Sequence, residues 1–305
     1  MTELAVDSTN EETLKTTIWA ILDLFYYLPA VNGPVPEDFK IEVLKGGITN
    51  SIYKCLRVNY PPVLVRIYGA KSEAVINRQR ERILVNAYSR DGFGTKIYGR
   101  FANGSIEGFL EGSCPAPREM ITDAALSRLI GAQLAKMHKL EADIPKQASY
   151  FTTVEAWLKV AKSKGKYEDA KQQAIFEQIN LPRIEELFAG FKAQITAQEL
   201  KHGGEPNKFI VLSHNDLLSG NVLYDRENQK VNFVDFEYGS YNYRAFDLAN
   251  HFCECCGFEC EWENLPTPEQ QRNFIRAYLT EAGIGEVSES EVDELYTEIQ
   301  PWYPA

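Results

Sequence analysis

The sequence predicts an α+β protein in two lobes. Strand-like runs fill the first 110 residues and helical periodicity dominates afterwards. A chain of 305 residues is long for one core and suits two lobes. Late in the chain, three short apolar runs carry polar residues at their ends: Val211-Leu212, Val222 to Tyr224 and Val231 to Val234. The expected division is a disordered tail over 1 to 12, a lobe of sheet plus helix over 13 to 110, and a mostly helical lobe over 111 to 305.

Residues 1 to 12 are polar, the composition of a disordered tail. Leu14 to Leu28 is apolar and reads as a helix, broken by Asn32-Gly33-Pro34 and Pro36. Ile41 to Leu44 and Ile52 to Val58 read as strands around Lys45-Gly46-Gly47-Ile48-Thr49-Asn50-Ser51. Glycine lets backbone N–H groups approach phosphates closely, although a Gly-Gly pair serves equally as a hairpin turn. Val63 to Gly69 is the next strand, with Arg66 inside it. Ser72 to Ser89 reads as a helix with Ser72 as N-cap and Glu73 in its first turn. Its Arg78, Arg80, Glu81 and Arg82 form a charged face. Lys96 to Phe101 and Ser105 to Leu110 form a hairpin around Asn103-Gly104.

In the second part, Thr122 caps a helix whose Leu126, Leu129, Ile130, Leu134 and Met137 recur at helical spacing up to His138. The stripe is core, and His138 reads as structural. Residues 152 to 201 are helical, with a Lys-rich solvated turn over 159 to 166. His202-Gly203-Gly204 and Pro206 close that region. Residues 268 to 282 and 288 to 299 read as two further helices.

Apolar content of 44% and charged content of 25% describe an ordinary globular chain. A net charge of −11 argues against nucleic acid, whose phosphates select basic surfaces, and is compatible with a cationic substrate. No apolar run approaches the roughly 18 residues needed to span a bilayer. The N-terminal dozen residues are acidic and contain no basic one, unlike a secretory or transit peptide, so the cytoplasm is the expected location. Cys253, Cys255, Cys256 and Cys260 cluster beside His251, but no second Cys-x-x-Cys pair stands at finger spacing. They are expected to be buried thiols rather than metal ligands or disulfides.

The chemistry concentrates in His214-Asn215-Asp216, Asn221, Asp235 and Glu237. A carboxylate, an amide five residues later and a second carboxylate at a strand end can serve one task. Protein kinases use such a set for phosphoryl transfer: one Asp takes the hydroxyl proton, and an Asn and a second Asp hold magnesium. Magnesium favours a few hard oxygen ligands completed by phosphate oxygens. Turns rich in Asp and Asn also occur between strands for local reasons, so the ordered set is the informative feature.

The strings His214-Asn215-Asp216 with Asn221, then Asp235-Phe236-Glu237-Tyr238, Tyr241-Asn242-Tyr243 and Asn250-His251-Phe252 closely resemble the choline/ethanolamine kinase family. The resemblance runs from about Ile41 through Leu295. It implies the bilobal, protein-kinase-like fold shared with aminoglycoside phosphotransferases. It also implies transfer of the ATP γ-phosphate to the hydroxyl of ethanolamine or choline, with ATP and Mg2+ as cofactors. By the same resemblance Gly46, Gly47, Thr49 and Asn50 belong to a loop covering the phosphates. Arg66 grips the phosphates where protein kinases place a Lys, and Glu81 is its expected partner. Backbone groups near Phe109 to Glu111 meet the adenine. Asp216 is the expected base, and Asn221 and Asp235 hold magnesium with Glu237 beside them. Asp247 braces the catalytic loop.

Tyr238 and Glu254 match positions lining the family's amine pocket, while Tyr241 and Tyr243 read as packing. Leu218 leans toward ethanolamine, because choline kinases often carry Gln there. A homodimer stands among the expected assemblies. Two other classes stand as alternatives: another small-molecule phosphotransferase, against which Tyr241-Asn242-Tyr243 and Asn250-His251-Phe252 argue, and a non-catalytic partner protein. The family continues past the helix matched by Ser288 to Ile299, into helices whose Trp and Tyr residues close the amine pocket. This sequence stops at Gln300-Pro301-Trp302-Tyr303-Pro304-Ala305. A C-terminally shortened chain with a frayed tail and an exposed apolar seam is therefore expected, one that binds Mg-ATP but handles its amine poorly.

Overall fold

A computed structural model of the chain describes residues 5–6, 11–25, 34–44, 50–69, 77–201, 209–283 and 285–303. In chain order its elements begin with α1 (Glu11–Leu24), β1 (Lys40–Leu44), β2 (Asn50–Arg57), β3 (Tyr60–Tyr68), α2 (Arg78–Arg90), β4 (Ile97–Phe101) and β5 (Gly104–Gly108). Helices α3 (Glu119–Thr122), α4 (Ala124–His138), α5 (Tyr150–Lys164), α6 (Ala170–Gln178) and α7 (Leu181–Lys201) follow. Then come β6 (Ile210–Ser213), β7 (Val222–Asp225), β8 (Lys230–Phe233), β9 (Ser240–Tyr243), α8 (Arg244–Glu254), α9 (Pro268–Glu281) and α10 (Glu289–Ile299). No helix among the described residues is long and apolar enough to cross a membrane.

The chain divides into two compact units, Met1–Cys114 with Gly220–Glu237, and Pro115–Ser219 with Tyr238–Ala305. This differs from a simple break after residue 110. The β7–β8 hairpin belongs with the strands of the first unit because its apolar residues pack there. Phe236 lies 4.4 Å from the Tyr88 ring and Phe233 lies 6.0 Å from Phe93, centroid to centroid. Ser113 and Tyr224 exchange backbone hydrogen bonds of 3.1 and 3.0 Å.

In the first unit, the described residues form a five-stranded antiparallel sheet in the order β1-β2-β3-β5-β4. The two-residue alternation of β3 sorts its side chains between the faces. Val63, Val65 and Ile67 face a core completed by Ile18, Trp19, Ile21 and Leu22 of α1. Leu64, Arg66 and Tyr68 face the other way and line a cavity. Gly104 begins β5 where a Cβ would lie 2.1 Å from the Arg66 carbonyl oxygen, so only glycine allows this approach of the strands.

One expectation for this unit is corrected. The polar stretch 1 to 12 is not wholly a loose tail. Val6 is buried and trades hydrogen bonds with the Asn103 side chain, at 3.0 Å from its N–H and 2.9 Å to its carbonyl, and α1 already begins at Glu11. A single apolar residue with a matched amide partner outweighs the polar composition around it. The described part of α2 starts at Arg78, with the Asn77 side chain accepting from Arg80 N–H at 3.0 Å. Ser72 and Glu73, the expected cap and first turn, lie outside the described residues.

In the second unit, Asp123 rather than Thr122 caps α4. Its carboxylate accepts from the N–H groups of Ala125 and Leu126 at 2.9 and 3.1 Å, while Thr122 ends the short α3. The Lys-rich stretch from 159 is helical as far as Lys164, since lysine is a good helix former. Helices α9 and α10 open with capping boxes, Thr267 with Gln270 and Ser288 with Glu291. The expected frayed end is also corrected. Pro301 stands at the start of a 3-10 turn, where its missing N–H costs nothing. Trp302 is buried, with ring centroids 4.8 Å from Tyr243, 5.3 Å from Phe191 and 5.5 Å from Tyr150. The Tyr303 hydroxyl donates to Gln271 at 2.7 Å. Burial of a large indole offsets the cost of ordering so short a segment.

Candidate active site

The cavity in the first unit has a volume of about 390 Å³. Its apolar lining includes Leu44, Ile52, Leu64, Leu223 and Val234, and its charged lining is Glu42, Lys54, Arg66, Glu81, Arg82, Arg100, Glu107 and Asp235. Phe109, Leu110 and Gly112 also line it, whereas Glu111 is exposed and does not. The Lys54 ammonium sits 3.9 Å from the centroid of the Phe109 ring. At Gly112, φ is +138° and a Cβ would come within 3.1–3.2 Å of the Leu223–Tyr224 backbone. A side chain there would be strained in torsion and crowded at once.

Within the charged lining, Arg66 does not pair with Glu81 as expected. Its Nη1 bonds the Asp235 carboxylate at 2.9 Å, and its Nε lies 3.4 Å from Glu107. Glu81 belongs to Arg78, at 2.8 Å, one helical turn earlier on α2. That local i,i+3 partner outcompetes a more distant one. Burial alone would lower the Arg66 pKa, but the charges of Glu107, Asp235 and Glu81 more than reverse this and fix the guanidinium as a cation. Arg78 also faces Glu237 at 3.6 Å and donates to the Asn50 amide oxygen at 3.3 Å, and Asn50 in turn donates to Glu237 at 3.2 Å. Gly46, Gly47 and Thr49 lie outside the described residues.

This network sets the carboxylates of Glu81, Glu107, Asp235 and Glu237 against the guanidiniums of Arg66 and Arg78, and Lys54, Arg82 and Arg100 also line the cavity. Asn221 is buried just before β7, and its carbonyl accepts from Val234 N–H at 3.0 Å, which sets it beside the strand end that leads to Asp235. Asp235 itself holds a left-handed backbone, φ +64°, unusual outside glycine and often stabilised at functional positions.

In the second unit, the segment from His214 to Leu217 is held at both ends from one helix. The fully buried Asp247 of α8 accepts from His214 N–H at 2.9 Å and from Asn215 N–H at 2.7 Å. His138 bonds the same carboxylate at 2.9 Å and the Tyr278 hydroxyl at 2.8 Å, a structural bridge. Burial works against the Asp247 charge, but these donors outweigh it and hold its pKa below the usual carboxylate value. One turn further along α8, Asn250 accepts from Leu217 N–H at 3.1 Å and His251 Nδ1 bonds the Leu217 carbonyl at 3.0 Å. Asn215, at φ +65°, donates to the Tyr238 carbonyl at 2.9 Å and accepts from Asn242 at 2.8 Å. Asp216, half-buried, therefore lies between main-chain groups fixed on either side.

Tyr238 presents its ring edge-on to Trp157, 6.0 Å away. Glu254 ends α8, half-buried, and burial raises its pKa. Tyr241 and Tyr243 are packing residues: the Tyr241 hydroxyl accepts from Ala142 N–H at 3.3 Å, and Tyr243 packs at a tilt against Trp302. Of the four expected buried thiols, Cys255 and Cys256 are buried, Cys253 is half-buried and Cys260 is exposed because it follows the helix end. Among the described residues no three His, Cys, Asp or Glu side chains group tightly enough to hold a metal by themselves.

His251 is fully buried, and burial pushes its pKa down to about 4 from an ordinary 6.5. The unfolded chain therefore takes up this proton first, and stability falls as pH drops from about 6.5 toward 4. Between pH 7 and pH 5 the loss from this one group is about 2 kcal/mol. Urea unfolding at the two pH values should show that much less acid sensitivity in His251→Asn, whose amide can still donate to Leu217. Equal acid sensitivity in the two proteins would contradict the assignment.

Glu107 was not visible to sequence reasoning as a site residue. A single Glu inside a short strand looks like a solvent-facing residue, and only the β3–β5 register brings it diagonal to Arg66.

Comparison with known proteins places the chain in a family. The family model described as Choline/ethanolamine kinase matches residues 41–305. "Probable ethanolamine kinase A" of Dictyostelium discoideum is 34% identical over 279 residues, covering 90% of this chain and 77% of its own. The solved structure of an ethanolamine kinase from Plasmodium vivax superposes with a TM-score of 0.81 at 28% identity, covering 96% of this chain and 79% of that one. A crystal structure of LicA in complex with AMP shares the fold at 18% identity, with a TM-score of 0.53 over 98% of this chain and 99% of that one.

Proposed function

Because the chain belongs to the choline/ethanolamine kinase family and has its protein-kinase-like fold, we propose that it phosphorylates the hydroxyl of a small amino alcohol from ATP, with ethanolamine as the preferred acceptor. The observation that carries the reading is the double clamp on the Asp216 segment, by Asp247 on one side and by Asn250 and His251 on the other. In a transfer that depends on positioning more than on covalent chemistry, a base held this way keeps the acceptor oxygen in line.

In this reading Asp216 orients the hydroxyl and accepts its proton. Arg66 binds the nucleotide phosphates, and the apolar lining of the cavity, with Phe109 and Leu110, takes the base. The residues present fit a magnesium ion: a carboxylate and a side-chain amide, both hard oxygen donors, stand at neighbouring strand ends. That set leaves most of the ion's coordination sphere to phosphate oxygens and water. Asp235 and Asn221 would hold it, with Glu237, which faces Arg78 at 3.6 Å, two residues after Asp235. When bound, the ion supplies charge stabilisation at the transferring phosphoryl group. Tyr238 and Glu254 receive the ammonium, the ring face and the carboxylate each favouring a cation. Leu218 and the ethanolamine kinases among the relatives favour the primary amine over choline. The reaction so read is that of a cytoplasmic enzyme of phospholipid head-group synthesis.

The reading is tested by ATP consumption with ethanolamine, choline and an aminoglycoside run side by side. Stimulation by ethanolamine above choline is expected, and stimulation by the aminoglycoside alone would replace the assignment. Asp235→Asn keeps the shape but removes the anionic ligand. The magnesium concentration for half-maximal activity should rise at least about tenfold, the low end of what loss of even an outer ligand costs. An unchanged magnesium titration would remove Asp235 from the metal.

A further inference from the structure

Arg66 is shared unequally between two carboxylates of different exposure. The Asp235 side chain is 25% exposed and takes the short 2.9 Å bond, whereas the Glu107 side chain is 9% exposed and stands at 3.4 Å. The Arg66 Nε that faces Glu107 is buried and makes no hydrogen bond of its own. Glu107 is meanwhile fixed from behind: Ser105 donates to its Oε1 at 2.7 Å and Thr95 to its Oε2 at 3.3 Å. A buried, pre-oriented carboxylate is a poor ligand for an incoming ion, since it cannot turn toward one. The more exposed Asp235 can. Arg66 needs only a small shift toward Glu107 to leave Asp235 and still keep a counter-charge.

We propose that Glu107 is a positioning residue that receives Arg66 when Asp235 is released, so that a nucleoside polyphosphate and a divalent cation bind together rather than in competition. Without Glu107, the guanidinium has one carboxylate left and stays on it, blocking the metal's ligand. With Glu107, phosphate oxygens and Glu107 share Arg66 between them, and Asp235 faces the cation. The two ligands then favour each other, and by linkage each strengthens the other by the same factor. This inference rests on reading the cavity as the nucleotide site.

The test is calorimetric binding of ADP to the 305-residue chain, with and without magnesium, for the wild type and Glu107→Gln. Magnesium should tighten ADP binding to the wild type. In Glu107→Gln that enhancement should shrink by about fivefold or more, at the low end of ordinary coupling between sites. Metal-free ADP should bind the variant no more weakly, because a negative charge has left the cavity. Ser105→Ala, which loosens Glu107 without removing its charge, should shift the enhancement in the same direction by about twofold, and it decides the matter if Glu107→Gln does not fold. An enhancement equal to wild type in either folded variant overturns the proposal. So does equal weakening with and without magnesium, the mark of a residue that only supports the strand. If wild type binds no ADP under either condition, the nucleotide reading fails and the inference with it. If wild type binds ADP and the variants match it, only the inference fails.

Discussion

Asp216→Ala should lose about two to four orders of magnitude in ethanolamine-dependent turnover, the range a positioned general base supplies. The protein should remain folded. The loop around residue 216 is held by main-chain hydrogen bonds to Asp247, Asn250 and His251, none of which uses the Asp216 side chain. Truncating a half-buried loop residue opens no core cavity, so stability should move by less than about 1 kcal/mol. Thermal unfolding and ATP consumption on the same sample check both halves. Near-normal turnover by the folded variant would remove Asp216 from the mechanism.

Asp247→Ala should do the opposite to stability. It leaves the N–H groups of His214 and Asn215 without their acceptor and His138 without its carboxylate, all in a fully buried place. Breaking such a set by removing one partner costs about 3–5 kcal/mol. Turnover should fall as well, because the segment bearing Asp216 loses one of its two clamps. Urea unfolding at neutral pH measures the first effect. Asp247→Asn, which keeps one acceptor oxygen, should fall between wild type and Asp247→Ala. A destabilisation below about 1 kcal/mol for Asp247→Ala would mean that the buried donors find other partners.

What could be read from the sequence was whatever depends on neighbours along the chain. The sheet strands, the helix ending at His138 and the two C-terminal helices announce themselves by periodicity. The run from His214 to His251 is recognisable because its chemistry-bearing residues stand at fixed spacing. Asp247 as a brace belongs to the same run. What escaped depends on partners far apart in sequence. Val6 is fixed by Asn103, 97 residues away. Arg66 takes Asp235, 169 residues on, rather than the Glu81 that adjacency in the motif order had favoured. Trp302 looked like part of a frayed end because two prolines flank it. It is buried because Tyr150, Phe191 and Tyr243 come together around it. Helix caps failed for a smaller reason: Asp123 follows Thr122 directly, and either side chain can cap.

Transfer of a phosphoryl group from ATP to the hydroxyl of an amino alcohol would leave ADP and a phosphomonoester. The most direct measurement is phosphorus-31 NMR of the 305-residue chain incubated with ATP, magnesium and ethanolamine. The γ-phosphate resonance of ATP should decline while a phosphomonoester resonance grows in equal amount, with ADP accumulating, and Asp216→Ala should show neither change. Loss of the γ-phosphate as inorganic phosphate alone, or no change with either ethanolamine or choline present, would contradict the account.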